Sequence, residues 1–83
     1  MDYRMPQNTM ESLDIYVKDK IPTGGFLYAV LSNDLMEAID RADDFNRAAL
    51  FDICYYIYNE MPATCWGSKD IVDKWLGNDR TAE

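Results

Sequence analysis

Histidine is missing from this chain altogether. Without imidazole, Ser-His-Asp and Cys-His catalysis lose their general base, and zinc sites lose their commonest nitrogen ligand. Cysteine is scarce too. Cys54 and Cys65 are the only two, they lack CxxC spacing, and two thiolates alone cannot complete a structural zinc site. Free thiols in a reducing cytoplasm are the simplest expectation. Basic residues are also few, with eight Lys and Arg against fifteen Asp and Glu, a formal charge of −7. A nucleic-acid ligand needs a basic footprint to neutralise phosphate, so direct DNA or RNA binding is disfavoured. An acidic surface suits a soluble protein, or one that docks on a basic partner. Long apolar runs are lacking as well: Phe26 to Leu31 is the longest strong one, far short of the roughly 20 residues that span a bilayer. Met1-Asp2-Tyr3-Arg4 leads into no apolar signal-peptide core. The expectation is a non-enzymatic chain with no catalytic residues, metal, cofactor or membrane segment.

What is present is enough for one domain. With 83 residues and 48% hydrophobic side chains, the chain is too apolar for wholesale disorder. At this size folding buries only about 60–65% of the unfolded surface, so stability depends on efficient packing or on association. Aromatics make up 13% of the sequence, including six tyrosines.

Hydrophobic spacing points to helices throughout, and no segment sustains the alternation of a strand. Residues 1–8 read as a loose lead-in, 9–77 as one helical domain and 78–83 as a flexible tail. Asn8 stands where an N-cap would, with Glu11 at the capping-box position, and predicts a helix over Thr9 to Asp19 with an Asp14–Lys18 pair. Ile21-Pro22-Thr23-Gly24-Gly25 breaks it. With no GK[ST] following, the two glycines form neither a phosphate loop nor a dinucleotide fingerprint. A short helix follows from Phe26 to Ser32, and Asn33-Asp34 then either breaks or bends the chain before Leu35, Ala38, Ile39 and Ala42.

The longest helix is expected from about Asn46 to Glu60. Leu50, Ile53, Cys54, Ile57 and Met61 make its core stripe, widened by Phe51 and Tyr58. Pro62 ends it, and a last helix starts at Ser68, with Ile71, Val72, Trp75 and Leu76 inward, an Asp70–Lys74 pair, and Gly77 as its stop. The fold class is all-α: a compact bundle of four to five short helices around one long central helix.

The densest candidate site is the corner Cys65-Trp66-Gly67-Ser68. Read structurally, Trp66 plugs the gap between the last two helices, Gly67 permits the bend and Ser68 caps. Read as a pocket, Trp66 offers a stacking face and the helix start beside Ser68 takes an anion. Cys65 as a nucleophile lacks a base. Asn33, Arg41, Asp43 and Asn46 either make local hydrogen bonds and pairs (Glu37 with Arg41, Asp43 with Arg47) or line a recognition cleft. Glu37, Asp40 and Asp44 form an acidic face that is either simply solvated or imitates phosphate spacing for a basic partner. Tyr55 and Tyr56 are candidate interface anchors, for a partner or a second copy.

Four fragments together carry a resemblance: Pro22-x-Gly24-x-Phe26-Leu27-x-Ala29-Val30-Leu31-x-Asn33-Asp34-Leu35, Arg41-Ala42-Asp43-x-x-Asn46, Tyr58-Asn59-x-x-Pro62 and Cys65-Trp66-Gly67-Ser68. Their order and spacing resemble a group of small uncharacterised proteins encoded by bacteriophages and prophages, over about Ile21 to Leu76. The resemblance implies a phage context in the host-cell cytoplasm rather than a mechanism. By analogy with small acidic phage proteins, the leading expectation is an accessory protein that binds and inhibits a host protein, such as an antiviral-defence component. The alternatives are a homo-oligomeric sponge that sequesters a nucleotide-derived signal through Trp66, Ser68 and Arg41 or Arg47, and a structural or regulatory phage protein.

Overall fold

Six helices and one 3₁₀ turn account for the architecture of the computed structural model, which describes residues 3–77. The helices are α1 (Gln7–Asp19), α2 (Gly25–Leu31), α3 (Leu35–Arg41), α4 (Asp44–Ala48), α5 (Leu50–Glu60) and α6 (Lys69–Trp75), with the 3₁₀ turn at Ala63–Cys65 before α6. No strand forms among the described residues, so the all-α expectation holds. No helix is long and apolar enough to cross a membrane among the described residues. The expected tail, 78–83, lies outside them.

The single long central helix does not form as one piece. The chain is helical from Asp44, earlier than Asn46, but breaks at Ala49, whose backbone (φ −98°, ψ 4°) leaves the helical region. There the Ala49 N–H reaches both the Phe45 and the Asn46 carbonyls, tightening the last turn of α4 toward 3₁₀ geometry. The longest element is instead α1, at 13 residues against 11 for α5.

The helix boundaries have local causes. Asp34, Asp43 and Ser68 each precede a helix and accept a hydrogen bond from the backbone N–H three residues on, from Glu37, Asn46 and Ile71. Asn8 does not cap α1. The helix begins at Gln7, two residues before the expected Thr9, after Pro6, whose carbonyl takes the Thr9 and Met10 amides. Asn33 breaks the α2–α3 connection rather than bending it. It adopts a left-handed backbone (φ 64°), its N–H bonds to the Val30 carbonyl, and the Asp34 N–H bonds to that of Ala29. This is a Schellman ending with asparagine at the left-handed position.

Burial concentrates in Leu13 and Tyr16 of α1, Leu27 and Leu31 of α2, Ile53 and Ile57 of α5, then Met61, Cys65 and Val72. Of the expected α5 stripe, Ile53, Ile57 and Met61 are buried, but Cys54, Phe51 and Tyr58 are exposed, Phe51 at 74% and Tyr58 at 70%. A helix apolar on nearly every side must leave one face outside in a domain this small. The lead-in is not loose over its described part. The Tyr3 ring stands edge-on to Tyr56 with centroids 5.1 Å apart, its hydroxyl donates to Glu60, and the Arg4 N–H donates to Asp52. Residues 3–6 thereby lie along α5.

Tyr16 ties the two ends of the domain together. Its fully buried hydroxyl donates to the Cys65 carbonyl at 2.6 Å, and its own carbonyl accepts the Trp75 indole N–H at 2.9 Å. The Lys20 N–H shares that carbonyl while the Lys20 ammonium sits 4.5 Å above the Trp75 ring. Burial, and then the neighbouring Cys65 and Asp73, hold the Tyr16 phenol well above its ordinary value of 10.0. The unfolded chain therefore ionises first, and this stabilisation, complete below pH 10, fades as pH rises beyond it. Tyr16→Phe should cost about 1–3 kcal/mol at neutral pH, because it strips the donor from a buried carbonyl. In urea melts between pH 8 and pH 11, the gap between wild type and variant should narrow above about pH 10. A gap that widens there would contradict this account.

Candidate functional site

The Cys65-to-Ser68 corner spends its polar groups on the fold. Met61 is extended (φ −104°, ψ 144°), as the residue before Pro62 must be. Trp66 is half-buried, donates its indole N–H to the Met61 carbonyl at 3.3 Å, and meets Tyr58 edge-on with centroids 6.0 Å apart. Gly67 has φ +126°, and its N–H reaches the Leu31 carbonyl at 2.7 Å, fastening the corner to the end of α2. The Ser68 hydroxyl caps α6. Cys65 is fully buried with its sulfur 3.1 Å from the Pro62 carbonyl, and burial pushes its thiol up. That is the opposite of the lowered value an activated nucleophile needs.

The polar candidates from Asn33 to Asn46 do not converge. Asn33 sits at the α2 ending, Arg41 pairs with Glu37, and Asp43 caps α4. The Asn46 Oδ1 accepts the Thr9 hydroxyl at 2.6 Å, joining α4 to α1. Arg47 pairs with Asp44 rather than Asp43, and donates also to the Ala42 carbonyl. The acidic face is divided as well: Glu37 and Asp40 lie on α3, whereas Asp44 begins α4, and Glu37 and Asp44 are each engaged by an arginine. Of the other expected pairs, Asp14–Lys18 forms at 3.3 Å and Asp70–Lys74 does not. Among the described residues no three His, Cys, Asp or Glu side chains gather into a metal-holding group.

Two surfaces stand out beside a groove of about 500 Å³ between the lead-in, α4 and the start of α5. The first is the outer face of α5, where Phe51, Tyr55 and Tyr58 share one side at helical spacing. The Phe51 and Tyr55 rings lie 5.4 Å apart. Tyr55 is on this outer face, but Tyr56 is half-buried against the core and the lead-in. Exposed Phe45 of α4 and exposed Leu35 and Met36 of α3 add apolar surface, at 76%, 54% and 75%. Spacing of the three aromatics was available in the sequence. It could not say which side of an all-apolar helix faces out.

The second is a cleft of about 520 Å³ between the Thr23–Gly25 turn, α2, α3 and the start of α6. Tyr28, Ser32, Asp34, Glu37, Arg41 and Lys69 line it. Of these Arg41, and Glu37 as part of the acidic face, stand out in the sequence as binding candidates. Tyr28, Ser32 and Lys69 carry no local signal, and Lys69 joins the lining only once α6 returns to α2. The Tyr28 hydroxyl donates to Asp73 of α6 at 3.0 Å, and burial together with that partner raises its phenol.

Comparison with protein-family models, curated proteins and solved structures finds no match for the chain.

Gly67→Ala tests the corner. A Cβ there would make only ordinary contact, 3.6 Å from Ile71 Cδ1, so the penalty is conformational. It should cost about 1–3 kcal/mol, and a loss under about 0.5 kcal/mol in denaturant melts would contradict the structural role. Thiol labelling tests the cysteines: Cys54, at the surface, should alkylate in the native protein, whereas Cys65 should react only as the chain unfolds. Equal native rates would show that Cys65 is accessible.

Proposed function

We propose that this protein is a non-enzymatic phage accessory protein that binds a host protein through the outer face of α5 and inhibits it, with a component of antiviral defence as the leading kind of target. The observation that carries the reading is the exposed aromatic row Phe51, Tyr55 and Tyr58, with Phe45 and Met36 exposed on the neighbouring helices. Clustered apolar surface of this kind is uncommon on a monomer that has no partner. Aromatic side chains supply large contact area for little lost rotamer entropy, and they dominate interface energetics. Net charge of −7 favours a basic partner and speeds its encounter. The phage context comes from the sequence resemblance, and inhibition from the analogy with small acidic phage proteins.

Affinity capture from bacterial host lysate tests this, with wild type beside Phe51→Ala and Tyr58→Ala. Both residues are exposed, so the variants should keep wild-type melting behaviour. Each should weaken the captured complex by about thirtyfold if it is a hot spot of roughly 2 kcal/mol. If no specific partner is retained, or one is retained equally by both variants, this reading fails.

A further inference from the structure

The cleft between α2, α3 and α6 carries an inference that is independent of the aromatic face. Its hydrogen-bonding capacity is unevenly used. The two carboxylates are each engaged: Asp34 accepts the Glu37 N–H, and Glu37 accepts the Arg41 Nε–H. The donors are in surplus. Arg41 uses Nε alone, leaving both terminal nitrogens of its fork without a side-chain or backbone acceptor. Lys69 makes no ion pair, and no acceptor faces its ammonium within hydrogen-bond distance among the described residues. The Ser32 hydroxyl is buried with no well-formed hydrogen bond among the described residues, its one polar interaction being with the Tyr28 hydroxyl one helical turn earlier. An unpartnered buried hydroxyl is costly. A rotation about its one side-chain bond, away from Tyr28, offers it to an acceptor in the cleft.

Arg41 is also held in place. It lies across the start of α2, where a Cβ on Gly25 would come within 3.0 Å of Nη1 and 3.4 Å of Cδ. Bare backbone at Gly25 therefore admits the guanidinium, and Glu37 fixes its other edge. A planar fork so oriented suits a tetrahedral or planar oxyanion, and ammonium from Lys69 adds a second charge. At about 520 Å³, the cleft is within the range of sites that enclose small organic molecules.

We propose that this cleft binds a small phosphorylated molecule, its phosphate taken by Arg41 and Lys69 and its hydroxyl-bearing body lying against Tyr28 and Ser32. Engaged carboxylates of Asp34 and Glu37 retain lone pairs for the hydroxyl groups of such a body. Phosphate alone would lack those contacts, and an uncharged sugar would lack the arginine and lysine.

Amide-detected NMR titration of the whole chain provides the test. The probes are ribose 5-phosphate, glucose 6-phosphate and adenosine 5′-monophosphate, each beside its unphosphorylated counterpart, with inorganic phosphate as a further arm. At least one phosphorylated probe should shift the amides of Gly24, Gly25, Ser32 and Lys69, and bind about tenfold more tightly than its counterpart and than inorganic phosphate. Arg41→Ala and Lys69→Gln should each weaken it by about tenfold or more. Lys69 is exposed and unpaired, so Lys69→Gln keeps the test decisive even if Arg41→Ala disturbs the Glu37 contact. Ser32→Ala should weaken binding at little cost in melting temperature, since the hydroxyl makes no well-formed hydrogen bond among the described residues. Three results would each overturn the proposal: no shift with any phosphorylated probe, equal binding of the unphosphorylated counterparts, or affinity untouched by Lys69→Gln.

Discussion

Everything in this domain hangs on Tyr16. One side chain and one carbonyl join segments 49 and 59 residues apart in sequence, through the Cys65 carbonyl and the Trp75 indole. Few other polar contacts reach from α1 to the C-terminal part of the domain, and the apolar core is small. Leu13, Leu31, Ile53 and Val72 pack at full burial around the tyrosine. For a chain of this length such burial yields only a narrow margin over conformational entropy. A satisfied hydroxyl at the centre matters because its alternative is a buried donor and a buried carbonyl with nothing to bond. Placement of α6 follows from that requirement, and with it the position of Lys69 at the cleft beside α2 and α3.

How much of this was legible in the sequence follows from the range of each interaction. Asp34 and Ser68 announce their helices because a cap is a contact between residues three apart. Pro62 announces an ending because it constrains its own neighbour. Asn8 misleads because Pro6, two residues earlier, already supplies a helix start, its carbonyl taking the first amides. The Asn46-to-Glu60 segment misleads in a different way. With Leu50, Phe51, Ile53, Cys54, Tyr55, Tyr56, Ile57 and Tyr58 in near succession, periodicity gives no preferred inner face. The inner side is chosen by Leu13, Tyr16 and Val72, none of which is local. The candidate cleft residues fail for the same reason: Arg41 is conspicuous, but Tyr28, Ser32 and Lys69 meet it only through tertiary return.

The corner that looked most like a site is where the chain reverses to make that return. Trp66, Gly67 and Ser68 each bond to a different part of the protein: the end of α5, the end of α2, and the start of α6. A bend that is pinned at three points positions the helix after it. Chemistry, where the surface offers any, lies on either side of this bend, on the outer face of α5 and in the cleft of α2 and α3. The two surfaces involve different residues, so each can be altered without the other.

The two indoles are the only ones in the sequence, and each N–H group is fastened to a backbone carbonyl, that of Trp66 to Met61 at the corner and that of Trp75 to Tyr16 of α1. No tryptophan stands anywhere in α1 to α5. The protein thus contains its own optical gauge. Ultraviolet emission excited at the indole band reads the corner and the seating of α6, the C-terminal part of the domain. Trp75, under the Lys20 ammonium, senses the far end of α6, and Trp66, against Tyr58, the corner that leads into it.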